Sequence, residues 1–122
     1  MEKFRIAIAT NGKDGLEDVV SNVFARAKTF TIVDVEEGEI KNSSILENPG
    51  RSYKYGAGPI VTKMLLDEGV NLVLAYVLGR GAEGLLKQHK IEHVPIKPNI
   101  KVETAVREVI QKNKKYVENI YS

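Results

Sequence analysis

Residues 70–78 read Val-Asn-Leu-Val-Leu-Ala-Tyr-Val-Leu, an almost continuously apolar run. A strand with one face in water alternates apolar and polar residues, whereas a strand covered by helices on both faces is apolar throughout. The run is far too short to cross a bilayer as a helix, which takes about 20 residues. It therefore predicts an interior strand at the centre of a parallel sheet, and so a chain of the α/β class.

The rest of the chain alternates between strand and helix periodicity. The predicted strands are residues 4–10, residues 29–35, a segment with Ile40, Ile45 and Leu46, residues 70–78 and residues 91–96. The predicted helices are one from Pro59 to the stop at Gly69, one at 82–89, and a terminal one with Val102, Val106, Val109, Ile110, Val117 and Ile120. A short helix or turn is also predicted from the spacing of Val19, Val20, Val23, Phe24 and Ala27.

The order of these elements restricts the topology. The Glu-Glu-Gly-Glu turn at residues 36–39 predicts a hairpin between strands two and three. Right-handed crossovers then give a five-stranded mixed sheet in the order 3-2-1-4-5, in which strand two alone is antiparallel, with helices on both faces. The loops after strands one, three and four emerge at one edge, where open α/β sheets usually bind ligands.

Composition excludes several classes of site. The 122 residues form one expected domain and include no cysteine, which excludes disulfides, thiolate metal sites and cysteine nucleophiles and is typical of a cytoplasmic protein. The net charge of +2 predicts neither a nucleic-acid nor a membrane partner. His89 and His93 fall outside the loop edge, and no serine or threonine there has a histidine partner, so we expect neither a metal site nor an enzyme.

Two glycine-rich turns indicate an anion site at the loop edge. Residues 56–58 (Gly-Ala-Gly) and 79–81 (Gly-Arg-Gly) each open a predicted helix, and residues 48–66 contain Arg51, Lys54 and Lys63 but no acid. Free backbone N–H groups, the helix dipole and nearby cations favour a bound anion. The alternative is that the glycines only turn the chain into the helices.

Tyr53 and Tyr55 flank Lys54 at the mouth of this predicted site. These rings could stack on a ligand or contact a partner protein, although an exposed aromatic in a loop often does neither. The chain therefore also fits a regulatory or structural interaction protein whose tyrosines and basic loop bind an acidic partner.

Several segments together resemble the dinitrogenase iron-molybdenum cofactor biosynthesis family, the group of small NifX-like and NifB C-terminal domains. Residues 20–27 (Val-Ser-Asn-Val-Phe-Ala-Arg-Ala) parallel the family's Ser-x-His-Phe-Gly-Arg-Ala, with Val23 in place of the histidine and Ala25 in place of the glycine. The other matching pieces are residues 5–12, 30–35, 47–49, 56–58 and 68–70, and Gly79 with Ala82.

The resemblance implies a three-layer α/β/α ribonuclease H-like fold and a role without turnover. The implied cargo is an anionic iron–sulfur or iron-molybdenum cluster precursor, exchanged with a donor or acceptor protein. At position 23 the family's metal-ligating histidine is missing, so we expect no metal ligand from the protein. The residues expected to bind the anion are Asn11, Gly12, Ser21, Arg26, Arg51, Gly56, Ala57, Gly58, Gly79, Arg80 and Gly81.

Overall fold

The computed structural model describes the backbone of residues 3–121 and the side chains of residues 3–79 and 81–113. The strands are β1 (Lys3–Thr10), β2 (Thr29–Glu36), β3 (Glu39–Glu47), β4 (Leu72–Ala75) and β5 (Glu92–Pro95). The α-helices are α1 (Ala57–Asp67), α2 (Arg80–Gln88) and α3 (Val102–Tyr121). Short 3-10 helices lie at Gly15–Glu17 and Pro49–Ser52. The predicted terminal-helix positions Val117 and Ile120 lie outside the described side chains.

The five strands form one mixed sheet in the order β3-β2-β1-β4-β5, as predicted. β2 runs antiparallel to β1 and β3, whereas β1, β4 and β5 are parallel. Glu37 and Gly38, with φ of 51° and 82°, form the β2–β3 turn, and two successive positive φ values suit a tight hairpin. The predicted α/β fold and strand order are confirmed, and the carboxyl ends of β1, β3 and β4 share one edge.

The alternation in β1 divides the core between the two faces of the sheet. Ala7 and Ala9 point to the face covered by α1 and α2, where their small side chains pack in one cluster with Val61 and Leu86. Ile6 and Ile8 belong to the opposite cluster, which includes the buried positions of α3: Val102, Ala105 and Val106. Both faces of the sheet are therefore covered, which is the reason for the apolar character of β1 and β4.

The apolar run at 70–78 is longer than the strand that it contains. β4 comprises only Leu72–Ala75, all buried, while Tyr76 and Val77 are exposed and Leu78 is buried again beyond the strand. Residues 76–78 therefore belong to the connection that follows β4 and not to the sheet. The interior position of the strand in the sheet is as predicted, since β4 lies between β1 and β5.

Of the helix or turn predicted at residues 19–27, no helix forms and only a turn is present. Val20 donates its N–H to the Ile100 carbonyl at 2.9 Å, and Ser21 donates to the Ala9 carbonyl at 2.8 Å. Tertiary hydrogen bonds thus hold the backbone extended before a turn at Ala25 and Arg26. Helical spacing arose here because the segment buries Val20 on one side and Phe24 and Ala27 on the other.

Within the described residues, α3 and the shorter helices are not apolar enough to span a membrane.

Candidate functional site

A cleft of about 520 Å³ opens at the carboxyl edge of the sheet. Three chain segments line it: the loop that follows β1, the start of α1, and the connection from β4 into α2. The lining residues are Asn22, Val23, Phe24, Ala25, Arg26, Tyr55, Gly56, Ala57, Gly58, Pro59, Val77, Leu78, Gly79, Gly81 and Ala82. The predicted convergence of three connections therefore produces an actual concavity.

Two helix N-termini meet at this cleft. Gly56 and Gly79 occupy the N-cap positions of α1 and α2, and neither helix start receives a hydrogen bond from its cap side chain. The starts of the two helices lie side by side, since a Cβ added at Gly58 would be in ordinary van der Waals contact with Ala82, 3.7 Å from its backbone nitrogen. The positive ends of both helix dipoles and their unpaired first-turn N–H groups thus adjoin the same space.

Gly56 has φ of +77°, a left-handed conformation that lets the chain turn sharply into α1. A Cβ at this position would meet nothing within 4 Å. The requirement for glycine here is therefore conformational and not steric.

Part of the cleft lining is apolar. Phe24 is buried and packs edge-on against Phe30, with ring centroids 5.4 Å apart. Leu78 is buried in the same core cluster, while Val23 and Val77 expose half or more of their surface. A ligand in the cleft would therefore contact hydrocarbon as well as backbone N–H groups.

Asn48 and Arg26 hold the two sides of the cleft together. The buried Asn48 amide donates to the carbonyls of Ala25 and Ala27 at 2.9 and 2.7 Å, and its Oδ1 accepts from Gly50 N at 2.8 Å. The Arg26 Nη2 donates to the Lys54 carbonyl at 2.7 Å. Both side chains fasten the loop after β1 to the segment that leads into α1, so they set the width of the cleft.

Negative charge is missing from the chain around the cleft. Residues 19–33, 48–66 and 69–82, which include every lining residue, contain no aspartate or glutamate. None of the lining residues is a histidine or cysteine either. The described lining therefore offers an anion backbone N–H donors and the Arg26 guanidinium, and it has no thiolate, imidazole or carboxylate that could ligate a metal.

The structure brings six of the predicted site residues together. Those that line the cleft are Arg26, Gly56, Ala57, Gly58, Gly79 and Gly81. The side chain of Arg80 lies outside the described residues. Those that do not line the cleft are Asn11, Gly12, Ser21 and Arg51.

Two of the residues outside the cleft have local partners. Gly12 donates its N–H to Asp18 Oδ2 at 2.9 Å, and the buried Ser21 Oγ accepts from Val23 N at 3.2 Å. Ser21 thus orients Val23 at the mouth, although it does not face the ligand space itself. Asn11 and Arg51 are exposed.

Several residues of the cleft escaped prediction from the sequence. Val77 and Leu78 were assigned to the strand, and Phe24 was assigned to a short helix or turn. The useful signal was already present in the motif at residues 20–27 and in an apolar run too long for its strand. Asn48 also carried no predicted role, since its contacts are 21 and 23 residues distant in the chain.

The histidines lie where the sequence placed them. His89 is the exposed C-cap of α2, at the opposite end of that helix from the cleft. His93 lies in β5, with its Nε2 3.1 Å from the Ala75 carbonyl. Among the described residues, no three histidine or acidic side chains are grouped as a metal ion would require.

Solved structures share this architecture. The apo form of the orange protein (ORP) from Desulfovibrio gigas superposes with a TM-score of 0.81 and 25% identity, over 88% of each chain. The Thermotoga protein TM1290, described as a candidate NifB protein of the DUF35 family, gives a TM-score of 0.73 and 33% identity, again over 88% of each chain. These structures therefore share the fold of this chain.

One comparison by sequence gives a similar result. An uncharacterized protein of Methanocaldococcus jannaschii, MJ0580, is 36% identical over 69 residues, which span 57% of this chain and 58% of that protein. Residues 3–112 match the family described as Dinitrogenase iron-molybdenum cofactor, a stretch that includes all five strands and every residue of the cleft. The chain belongs to the dinitrogenase iron-molybdenum cofactor family.

Proposed function

We propose that this chain is a non-catalytic carrier that holds an anionic iron–sulfur or iron-molybdenum cluster precursor in the cleft. Membership of a family named for the iron-molybdenum cofactor supports the class of cargo. The observation that carries the proposal is a cleft in which two helix N-termini meet and no carboxylate is present. In the proposal, the chain acts as one cytoplasmic domain.

The donor set defines what form of cluster the cleft would accept. With no cysteine, histidine or carboxylate among the lining residues, the protein offers none of the side chains that usually ligate an iron–sulfur cluster. The cargo would therefore arrive with its own sulfide or thiolate ligands complete. Sulfur atoms accept N–H hydrogen bonds and also pack well on hydrocarbon. The cleft offers both kinds of contact, since backbone N–H groups and apolar side chains line it.

A carrier needs to release its cargo as well as bind it. Hydrogen bonds and dipole contacts are individually modest, about 0.5 to 3 kcal/mol each, and none has to be broken by a chemical step. A cluster bound without metal ligation can leave intact when a partner offers better ligands. This reversibility supports a carrier over an enzyme.

The charge of the cleft provides the test, through Gly81. A Cβ at this position meets nothing within 4 Å, and an aspartate in the first turn of α2 is favourable for the helix. Gly81→Asp should therefore fold normally but weaken binding of a synthetic thiolate-ligated [4Fe–4S] cluster by about tenfold or more, because like charges at close range repel. Anaerobic titration followed by visible absorbance measures the affinity.

Gly81→Asn is the matched control, since it adds a side chain of the same size without the charge. We expect its affinity to stay within about twofold of the unmodified protein, because its side chain brings no charge repulsion. Equal losses in the two variants would attribute the effect to size and contradict the electrostatic site. A wild-type protein that remains colourless throughout the titration would remove the cluster function.

The second candidate function is a regulatory or structural interaction module without a cluster. Exposed tyrosines at the cleft mouth favour it, because Tyr53 and Tyr55 expose 47% and 80% of their surface. A colourless titration together with retained binding of a partner would select this function.

A further inference from the structure

Exposed apolar side chains are concentrated at one place on the described surface. Six large hydrophobic residues are exposed on the described surface. One of them, Ile45 on β3, lies away from the cleft. Of the other five, three line the cleft, Tyr76 is next to the lining residue Val77, and Tyr53 is two positions before the lining residue Tyr55; we call these five the rim: Val23, Tyr53, Tyr55, Tyr76 and Val77. Soluble proteins rarely collect such side chains in one patch without an interaction to cover them.

The rim is also surrounded by positive charge. Arg26, Lys28, Arg51 and Lys54 are exposed on the segments that form it, and no described carboxylate lies within ion-pair distance of them. The same segments lack acidic residues altogether. A surface of this kind is complementary to a partner that combines acidic and apolar side chains.

The rim is held in position by internal contacts. Arg26 bonds the carbonyl of Lys54, and the Lys54 ammonium lies 6.0 Å from the centre of the Tyr55 ring. Asn48 fixes the base of the same segment through the carbonyl of Ala25. Aromatic side chains on a fixed backbone lose little entropy on binding, which is typical of residues that dominate interfaces.

We infer that the rim is the docking surface for a partner protein that presents a segment in which acidic side chains are combined with aromatic or aliphatic ones. A second copy of this chain is the wrong occupant, since a two-fold contact would place the same cations against each other. This inference goes beyond the proposed carrier function, because docking requires no cluster. A partner seated on the rim would also cover the cleft, so cargo could pass between the two proteins without entering water.

Selection from a random peptide library tests the chemistry of the rim directly. The metal-free, full-length protein is immobilised, and enriched peptides are synthesised and titrated by fluorescence anisotropy. We expect peptides rich in aspartate, glutamate and aromatic residues, whose affinity falls as salt is raised because exposed charges are screened. Enrichment without an acidic bias would overturn the inference.

Matched variants locate the binding surface. Tyr55→Ser and Val77→Ser remove exposed rim side chains and should each weaken the selected peptides about tenfold, whereas Ile45→Ser removes an exposed side chain outside the rim and should change nothing. Equal effects of all three, or none, would contradict docking at the rim. Sedimentation adds a further check, because a dimer that Tyr55→Ser dissociates would assign the rim to self-association.

The outcomes separate this inference from the carrier function. Peptide binding in a protein that takes up no cluster would leave the rim as a docking surface and remove the cargo. Cluster binding in a protein for which no peptide depends on the rim would support the carrier function and contradict docking at the rim.

Discussion

The loop after β1 and the turns that open α1 and α2 all present backbone N–H groups at the same edge of the sheet. They differ in whether the chain itself supplies a hydrogen-bond acceptor for these groups. In the loop at residues 11–18, the buried Asp18 carboxylate accepts from Gly12, Asp14 and Val19, at 2.9, 3.4 and 2.8 Å. The turns at 56–58 and 79–81 contain no acidic residue, and Glu83 in the first turn of α2 does not line the cleft. The chain itself supplies the anion of the first region, whereas the second is the region that the proposed function assigns to a ligand.

Further contacts confirm that the first region is structural. The hydroxyls of Thr10 and Thr29 lie 2.6 Å apart beneath the loop, and Thr29 Oγ1 donates to the Gly12 carbonyl. The Asp18 carbonyl accepts from Val102 N at 2.8 Å, which connects the loop to the start of α3. Glycine-rich turns after parallel strands therefore indicate a ligand only where the chain supplies no acceptor of its own.

The largest expected effect comes from removing that internal acceptor. Asp18→Ala leaves three N–H groups without their carboxylate and should lower the free energy of unfolding by about 2 to 4 kcal/mol, since hydrogen bonds to charged groups are among the stronger ones. Urea denaturation measures the loss. Asp14→Ala, at an exposed position of the same loop, is the control and should cost less than about 0.5 kcal/mol.

Asn48→Ala should have the next largest effect. It removes two hydrogen bonds that join the loop after β1 to the segment before α1 and a third within that segment, and we expect a loss of about 2 kcal/mol in the free energy of unfolding. Because these bonds also set the width of the cleft, cluster affinity should fall in protein that is still folded. A stability loss with unchanged affinity would show that Asn48 does not position the site.

Two glycines give a matched comparison of the regions. Gly15 and Gly56 have φ of 62° and 77°, and a Cβ at either would meet nothing within 4 Å. Alanine at either position should therefore cost a similar amount, about 1 kcal/mol, through backbone strain alone. Only Gly56→Ala should also weaken cluster binding, so equal binding losses in the two variants would contradict the distinction.

The smallest effect concerns an ion pair that joins the loop after β1 to the end of β3. Lys13 in the β1 loop lies 2.6 Å from Glu47 at the end of β3, and its hydrogen bond and charge lower the pKa of Glu47 below 4.5. A carboxyl whose pKa is lower in the folded than in the unfolded protein stabilises the fold at pH values above its unfolded pKa. This contribution is lost as the pH falls through its folded pKa. Lys13→Met should raise the pKa of Glu47 toward 4.5, as measured by NMR titration.

Lys41→Met is the control for this titration, because Lys41 pairs with Glu39 at the other end of β3. We expect it to leave the pKa of Glu47 unchanged. A Glu47 pKa that is the same in all three proteins would show that the loop and β3 are not joined by this pair in solution.

Local sequence determined the elements and their order. Alternation in β1, the glutamate-glycine turn of the hairpin and the proline and glycine that bound α1 act over a few residues, so the strand order 3-2-1-4-5 could be predicted. The absence of acid from residues 48–66 also marked the correct edge. These features are readable because periodicity and turn chemistry depend on near neighbours.

Only the tertiary structure decided which backbone groups at that edge stay available. Val20 and Ser21 bond to Ile100 and Ala9, which converts a helical pattern into extended chain. The Asp18 carboxylate accepts hydrogen bonds from the N–H groups of the β1 loop. Phe24 and Val77, about 50 residues apart in sequence, line the same cleft. A donor is free or satisfied according to acceptors that are distant in the chain, and no local pattern contains that information.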